Sequence, residues 1–141
     1  MDGSRSAGSL TMLMASLALA GLAGCAANTR ANLTNAADNL EYNANALVRD
    51  AGDQVARSDH ALARDAHEFR ELVDQGGSDH AMREAFDRVS RSYHAVRDEV
   101  AQSENPRARS DLASLTDSYR ALQHELGIYP GRDEYAQVPR G

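Results

Sequence analysis

Apolar residues recur at helical spacing along most of the chain after residue 31. The first stripe starts with Leu33, Leu40 and Leu47, seven residues apart, and continues after a step of eight with Val55, Leu62 and Phe69. Its two ends are 36 residues apart, which is about ten turns at 3.6 residues per turn. The stripe therefore stays on one face of a straight helix, and it predicts a helix from about Ala31 to Asp74.

A second helix is predicted after the Gly76-Gly77 pair, with Ser78 as its N-cap. Its stripe is the most regular in the chain, with spacings of three and four. The helix should run to about Ser103. The stripe consists of Met82, Phe86, Val89, Tyr93, Val96 and Val100.

The third predicted helix has Asn105 as its N-cap and Pro106 at its first position. Gly127 stands where a glycine commonly ends a helix, and residues 128–141 show no periodicity and are expected to form a tail. The apolar stripe of this helix consists of Leu112, Leu115, Tyr119, Leu122 and Leu126.

Together these segments predict an all-α, antiparallel bundle of three helices over residues 31–127, with a long first helix. The second and third helices can cover only the C-terminal half of the first. Leu33, Leu40 and Leu47 would then lack a partner within the chain, and we expect them to meet a protein partner or a second copy. The alternative is a break near Gly52 that gives a four-helix bundle. Because one interior glycine costs only about 1 kcal/mol, the continuous helix is the favoured expectation.

Composition narrows the function classes. All 15 basic residues are arginine and the net charge is −6, which argues against binding to nucleic acid or to an anionic lipid surface. Tryptophan is absent and aromatic residues make up 5% of the chain. This composition favours helices over strands.

The start of the chain has a different pattern. A short polar segment precedes an apolar run from about Leu10 to Ala23, and about 14 residues are fewer than the roughly 20 that span a bilayer as a helix. This order is typical of a secretory signal. The run ends in Leu22-Ala23-Gly24-Cys25, which resembles the lipobox of bacterial lipoproteins. An ordinary secretory signal with a coincidental cysteine and an uncleaved short anchor are the alternatives.

The lipobox resemblance implies a processing route. The thiol of Cys25, the only cysteine, would receive a diacylglycerol, and a signal peptidase that recognises Leu22, Ala23 and Gly24 would remove residues 1–24. The new amino group would then be acylated, and residues 25–30 would form a lipidated cysteine with a short tether. Ala26, in place of aspartate, implies the periplasmic face of the outer membrane in a Gram-negative envelope. Because the C-terminus carries no lysine, the covalent linkage to peptidoglycan known in this class is not expected.

Candidate chemical groups are few. On helical wheels, all of the histidines lie away from the apolar stripes, so we expect no metal site; these residues are His60, His67, His80, His94 and His124. Met82 belongs to a core stripe and is not predicted as a haem ligand. Ser58, Ser78 and Ser92 are predicted on polar faces, and no Gly-x-Ser-x-Gly motif occurs. We therefore expect neither an enzyme nor a resident cofactor.

One further segment suggests a contact surface. Residues 86–94, together with residues 126–130, resemble segments of uncharacterised proteobacterial helical envelope lipoproteins. Arg88, Arg91, Tyr93 and His94 are the predicted partner surface. The expected function is that of a non-enzymatic, lipid-anchored helical protein with a structural or partner-binding role. The alternative is a periplasmic bundle that binds a metal or a small ligand.

Overall fold

A computed structural model describes the backbone of residues 20–51 and 56–128, and the side chains of residues 29–51 and 57–128. Four helices lie in this part of the chain: α1 (Ala20–Asp50), α2 (Ala56–Asp74), α3 (Asp79–Gln102) and α4 (Pro106–Glu125). They pack as a helical bundle, which confirms the predicted all-α class.

The prediction of one continuous first helix is wrong. Helix α1 ends at Asp50 and α2 begins at Ala56, so the chain turns where the apolar spacing changes from seven to eight; Gly52 itself lies outside the described residues. Folding back places Leu40 and Leu47 in the core at 0% exposure. Full burial of such a side chain stabilises the fold by about 1.5–3 kcal/mol, and folding back gains this for both leucines. The four-helix alternative is confirmed.

Leu33, Leu40 and Leu47 therefore already have neighbours within the chain. Leu33 is half-buried against the core, and the other two are fully buried. The reason for assigning these leucines to a contact with another chain no longer holds. Whether the protein associates with a partner or with itself stays a prediction.

Polar contacts between helices show that neighbours run antiparallel. Asp38 of α1 pairs with Arg70 of α2 at 2.7 Å. At the other end of α1, the Asn105 side-chain amide donates to the Asp50 carbonyl at 2.8 Å. Helix α1 thus packs against both α2 and α4, and α2 packs against α3.

The four helix seams are not equally close. Small side chains line α1, where Ala37 and Ala44 are completely buried, and its backbone lies near those of α2 and α4. The backbones of α3 and α4 approach each other far less. Aromatic side chains fill that seam instead: the Tyr119 ring stacks on Tyr93 at 4.1 Å and on Phe86 at 5.4 Å.

The predicted caps of α3 and α4 and the glycine end of α4 are confirmed, whereas the first helix begins at Ala20 and not at about Ala31. The Ser78 hydroxyl caps α3 by accepting from the Ala81 amide, and the Asn105 side chain caps α4. Gly127 has φ 65°, and it belongs to a Schellman turn in which the Ile128 amide donates to the Gln123 carbonyl at 2.8 Å.

Gly76 ends α2 in the same way, with φ 71°. The Gly77 amide donates to the Leu72 carbonyl at 2.9 Å. A left-handed backbone strongly favours glycine at this position. Residues 25–30, which are predicted as the lipidated cysteine and its tether, lie in the backbone of α1.

Candidate functional site

The predicted anchor lies at the edge of the described chain. Residues 22–25 are part of α1, but their side chains are outside the described set. Lipidation of Cys25 therefore stays a prediction. Among the residues that the structure describes, no helix is both long enough and apolar enough to cross a membrane.

The predicted partner surface is only partly a surface. Arg88 and Arg91 are exposed on α3, and Arg88 lies 3.6 Å from Glu68 of α2. Tyr93 is 4% exposed, and its hydroxyl is 3.0 Å from that of Thr116 on α4. Its position in the apolar stripe of α3 explains the burial, so Tyr93 must be removed from the predicted contact surface. His94 is half-buried, and its ring centroid lies 5.3 Å from that of Tyr93 in an edge-to-face arrangement.

The histidines do not form a metal site in the described part of the chain. His60, His67, His80 and His124 are exposed, and no group of three potential ligands comes together among the described side chains. Met82 is half-buried against the core, in agreement with its predicted place in the apolar stripe of α3.

His67 belongs to a charged stripe along the α1–α2 seam. Its Nδ1 lies 2.9 Å from Glu41, and its Nε2 lies 3.5 Å from Glu71. Next to it, Arg70 contacts Asp38 at 2.7 Å and Asp74 at 3.3 Å. These pairs are largely exposed, and exposed ion pairs add little stability individually, so the stripe mainly orients α2 on α1.

The hydrogen bond to Glu41 and the charge of that carboxylate raise the pKa of His67 above its usual 6.5, and Glu71 adds to the effect. Protonated His67 thus stabilises the fold fully when the pH is below the pKa that this residue has in the unfolded state. The stabilisation is lost as the pH rises through its pKa in the folded state. We expect Glu41→Gln to lower the pKa of His67, measured by a nuclear magnetic resonance titration of the ring protons.

Glu71→Gln is the matched control for this prediction. It removes the weaker of the two carboxylates, so the pKa of His67 should fall by a smaller amount. An unchanged titration in Glu41→Gln would contradict the observed contact between α1 and α2.

Serines and carboxyl groups form a second set of contacts, between α2 and α3. Ser58 was predicted on a polar face, but it is 8% exposed and donates to Glu99 at 2.5 Å. Further along the seam, Ser92 donates to the buried Asp65. These contacts hold the two helices in register.

Two carboxyl groups near the α1–α2 turn have raised pKa values. Burial raises the pKa of Asp59, which is 1% exposed. Burial also raises the pKa of Asp111, and the neighbouring Asp50 carboxylate adds to the shift. Each raised pKa means that folding favours the protonated form of the carboxyl group. The ionised carboxylates therefore lower the stability of the fold at neutral pH, and this penalty becomes smaller as pH falls.

An open pocket of about 540 Å³ lies at the opposite end of the bundle. We call it the end pocket. Its walls come from residues 29–33 of α1, the α2–α3 turn and the end of α4. Four apolar side chains form its inner surface, and charged residues of both signs surround it. The apolar residues are Leu33, Val73, Met82 and Leu126, and the charged residues are Arg30, Asp79, Arg83 and Glu125.

Sequence reasoning did not find this pocket. Leu33, Met82 and Leu126 were each assigned to a separate stripe, and only the folded chain brings their ends together. The Gly76 turn contributes as well, because a Cβ there would lie 2.8 Å from an Arg30 guanidinium nitrogen. That nitrogen is 3.5 Å from the Asp74 carbonyl oxygen. The glycine thus leaves room for Arg30 at the rim.

Comparison of the chain with protein-family models, with curated proteins and with solved structures finds no match.

Proposed function

We propose that this chain is a non-enzymatic, lipid-anchored helical protein of the Gram-negative envelope, with a structural or partner-binding role. The observation that carries the proposal is the segment Leu22-Ala23-Gly24-Cys25 at the end of a short apolar run. In this proposal a membrane phospholipid gives its diacylglyceryl group to the Cys25 thiol: a thioether C–S bond forms, the C–O bond to the phosphate breaks, and the phosphate headgroup leaves with the thiol proton. Hydrolysis of the peptide bond before Cys25 then makes it the first residue. An acyl ester of a second phospholipid acylates the new amino group, and the lysophospholipid leaves. Two or three acyl chains are enough for stable anchoring.

The proposed location is the periplasmic face of the outer membrane, on the ground that Ala26 follows the cysteine. The net charge of −6 supports a protein partner rather than nucleic acid. On α3, the exposed Arg88 and Arg91 with the half-buried His94 are the proposed partner surface, without Tyr93.

The test is metabolic labelling with a palmitate analogue. Wild-type protein should take up the label, and Cys25→Ser should take up none and should keep its signal peptide, because no thiol is left to modify. Ala26→Ser is the matched control: it introduces the same side chain one position later and should leave labelling intact. An unlabelled wild-type protein would reject the anchor.

The alternative function is binding of a metal or a small ligand. Because the described residues bring no set of metal ligands together, the end pocket is the observation that favours the small-ligand form of this alternative. The apolar inner surface formed by Leu33, Met82 and Leu126 favours an apolar ligand over a polar metabolite.

A further inference from the structure

The end pocket lies beside the part of α1 that leads to the predicted anchor. Thr29, Arg30 and Leu33 are its contributions from α1. Cys25 precedes Thr29 by four positions in the same helix, which is about one turn, or 6 Å along the axis. A group attached at residue 25 therefore starts about one turn from the pocket wall.

The pocket suits an uncharged, flexible chain. Val73 is 2% exposed, and Leu33, Met82 and Leu126 are half-buried against the core, so the inner surface is apolar and attached to the rigid part of the bundle. Its volume of about 540 Å³ falls within the roughly 300–1,000 Å³ that is usual for small-molecule pockets.

The rim argues against a charged ligand. Arg30 and Arg83 lie there with Asp79 and Glu125, so two positive and two negative side chains balance. A phosphate or a free carboxylate would gain attraction from one pair and repulsion from the other. An acyl chain, which carries no charge, meets neither effect.

We propose that the end pocket holds one of the acyl chains attached at Cys25. This inference rests on the proposed lipid anchor. The occupant is part of the same molecule, so its effective concentration at the pocket is in the millimolar range for a short connection, and modest intrinsic affinity is enough to fill the site. When three chains are present, the other two remain for the bilayer and satisfy the need for more than one anchor. Occupancy holds this end of the bundle against the membrane.

The experiment uses the full chain in intact cells supplied with a palmitate analogue that carries a photoactivatable diazirine. After illumination, the protein is purified and digested with trypsin, which cuts only after arginine here because the chain has no lysine. Peptide 71–83 then contains most of the α2–α3 side of the pocket, and peptide 121–132 contains Leu126. We expect peptide 25–30 to be joined to one of these two through the acyl chain.

Met82→Trp and Leu126→Trp fill the pocket from two different helices, and each should abolish most of this intramolecular cross-link while Cys25 keeps its label. Leu112→Trp is the matched control. It also enlarges a half-buried side chain packed on the core, but it lies 14 positions before Leu126, about 21 Å along α4, and should preserve the cross-link. Thermal melting followed by circular dichroism verifies that each compared variant is folded.

The outcomes separate this inference from the anchor proposal. A protein with no label on Cys25 rejects the anchor and the inference together. A labelled Cys25 without a cross-link to either pocket peptide rejects the inference alone. A pocket peptide joined to a free phospholipid, and not to peptide 25–30, also overturns it, because the occupant would then come from the leaflet.

Discussion

Leu40→Asp should abolish or severely weaken cooperative folding of the bundle. Leu40 lies in the middle of α1 at 0% exposure. Removing a buried leucine side chain alone costs roughly 2–5 kcal/mol, and an unpaired carboxylate at the same place adds a desolvation penalty. The total is a large part of the roughly 5–15 kcal/mol by which a typical domain is stable. We expect the melting temperature to fall by at least about 12 °C, measured by circular dichroism at 222 nm.

Asn39→Asp is the matched control for this change. It adds the same charge at the preceding residue, which is exposed, and substitutions at such positions usually change stability by no more than about 0.5 kcal/mol. The contrary result would be a Leu40→Asp protein that melts like the wild type but has a smaller mass by light scattering. It would mean that α1 uses this leucine to contact a second chain and not α2 and α4.

The break between α1 and α2 shows where sequence reasoning reaches its limit. The periodic stripes predict helix over residues 31–127 but not over the first part of α1. Local signals identify the caps of α3 and α4, because Ser78 and Asn105 act within a few residues. Local signals do not settle whether the helix breaks near Gly52. Keeping the glycine inside a helix costs only about 1 kcal/mol, so the outcome depends on what α1 can bury after turning back. That quantity is a property of the assembled bundle.

The candidate site was predictable to a smaller extent. The apolar stripe that predicts α3 also places Tyr93 on the apolar face of that helix, so the burial of Tyr93 follows from the sequence. Assigning Tyr93 to a contact surface was inconsistent with this pattern. Ser58 could not be placed in this way, because its partner Glu99 is 41 positions away. The end pocket is harder still, since its wall consists of the ends of separate elements that become neighbours only in the antiparallel bundle.

Tyr119→Ala should open the α3–α4 seam and have the second-largest effect on stability. Tyr119 is 2% exposed. Its ring lies between those of Phe86 and Tyr93, stacked at 5.4 and 4.1 Å. The backbones of α3 and α4 stand apart at this seam, so little else can move in to replace the lost volume. Truncation of a large buried aromatic side chain costs about 3–5 kcal/mol, and urea denaturation should show a loss of this size in the free energy of unfolding.

Two companion variants separate the contributions of the ring and the hydroxyl. Tyr119→Phe keeps the stack but removes the group that lies 2.8 Å from the Ser90 hydroxyl and 3.4 Å from the Gln123 side-chain nitrogen. Because each hydrogen bond has a net value of about 0.5–1.5 kcal/mol, this variant should cost about 1–3 kcal/mol, less than Tyr119→Ala. Tyr42→Ala removes the same atoms as Tyr119→Ala from a residue that is 68% exposed, and it should change stability by less than about 0.5 kcal/mol. If Tyr119→Ala cost no more than Tyr119→Phe, the ring would contribute nothing to the seam, and the contact between α3 and α4 would rest on other groups such as the paired hydroxyls of Tyr93 and Thr116.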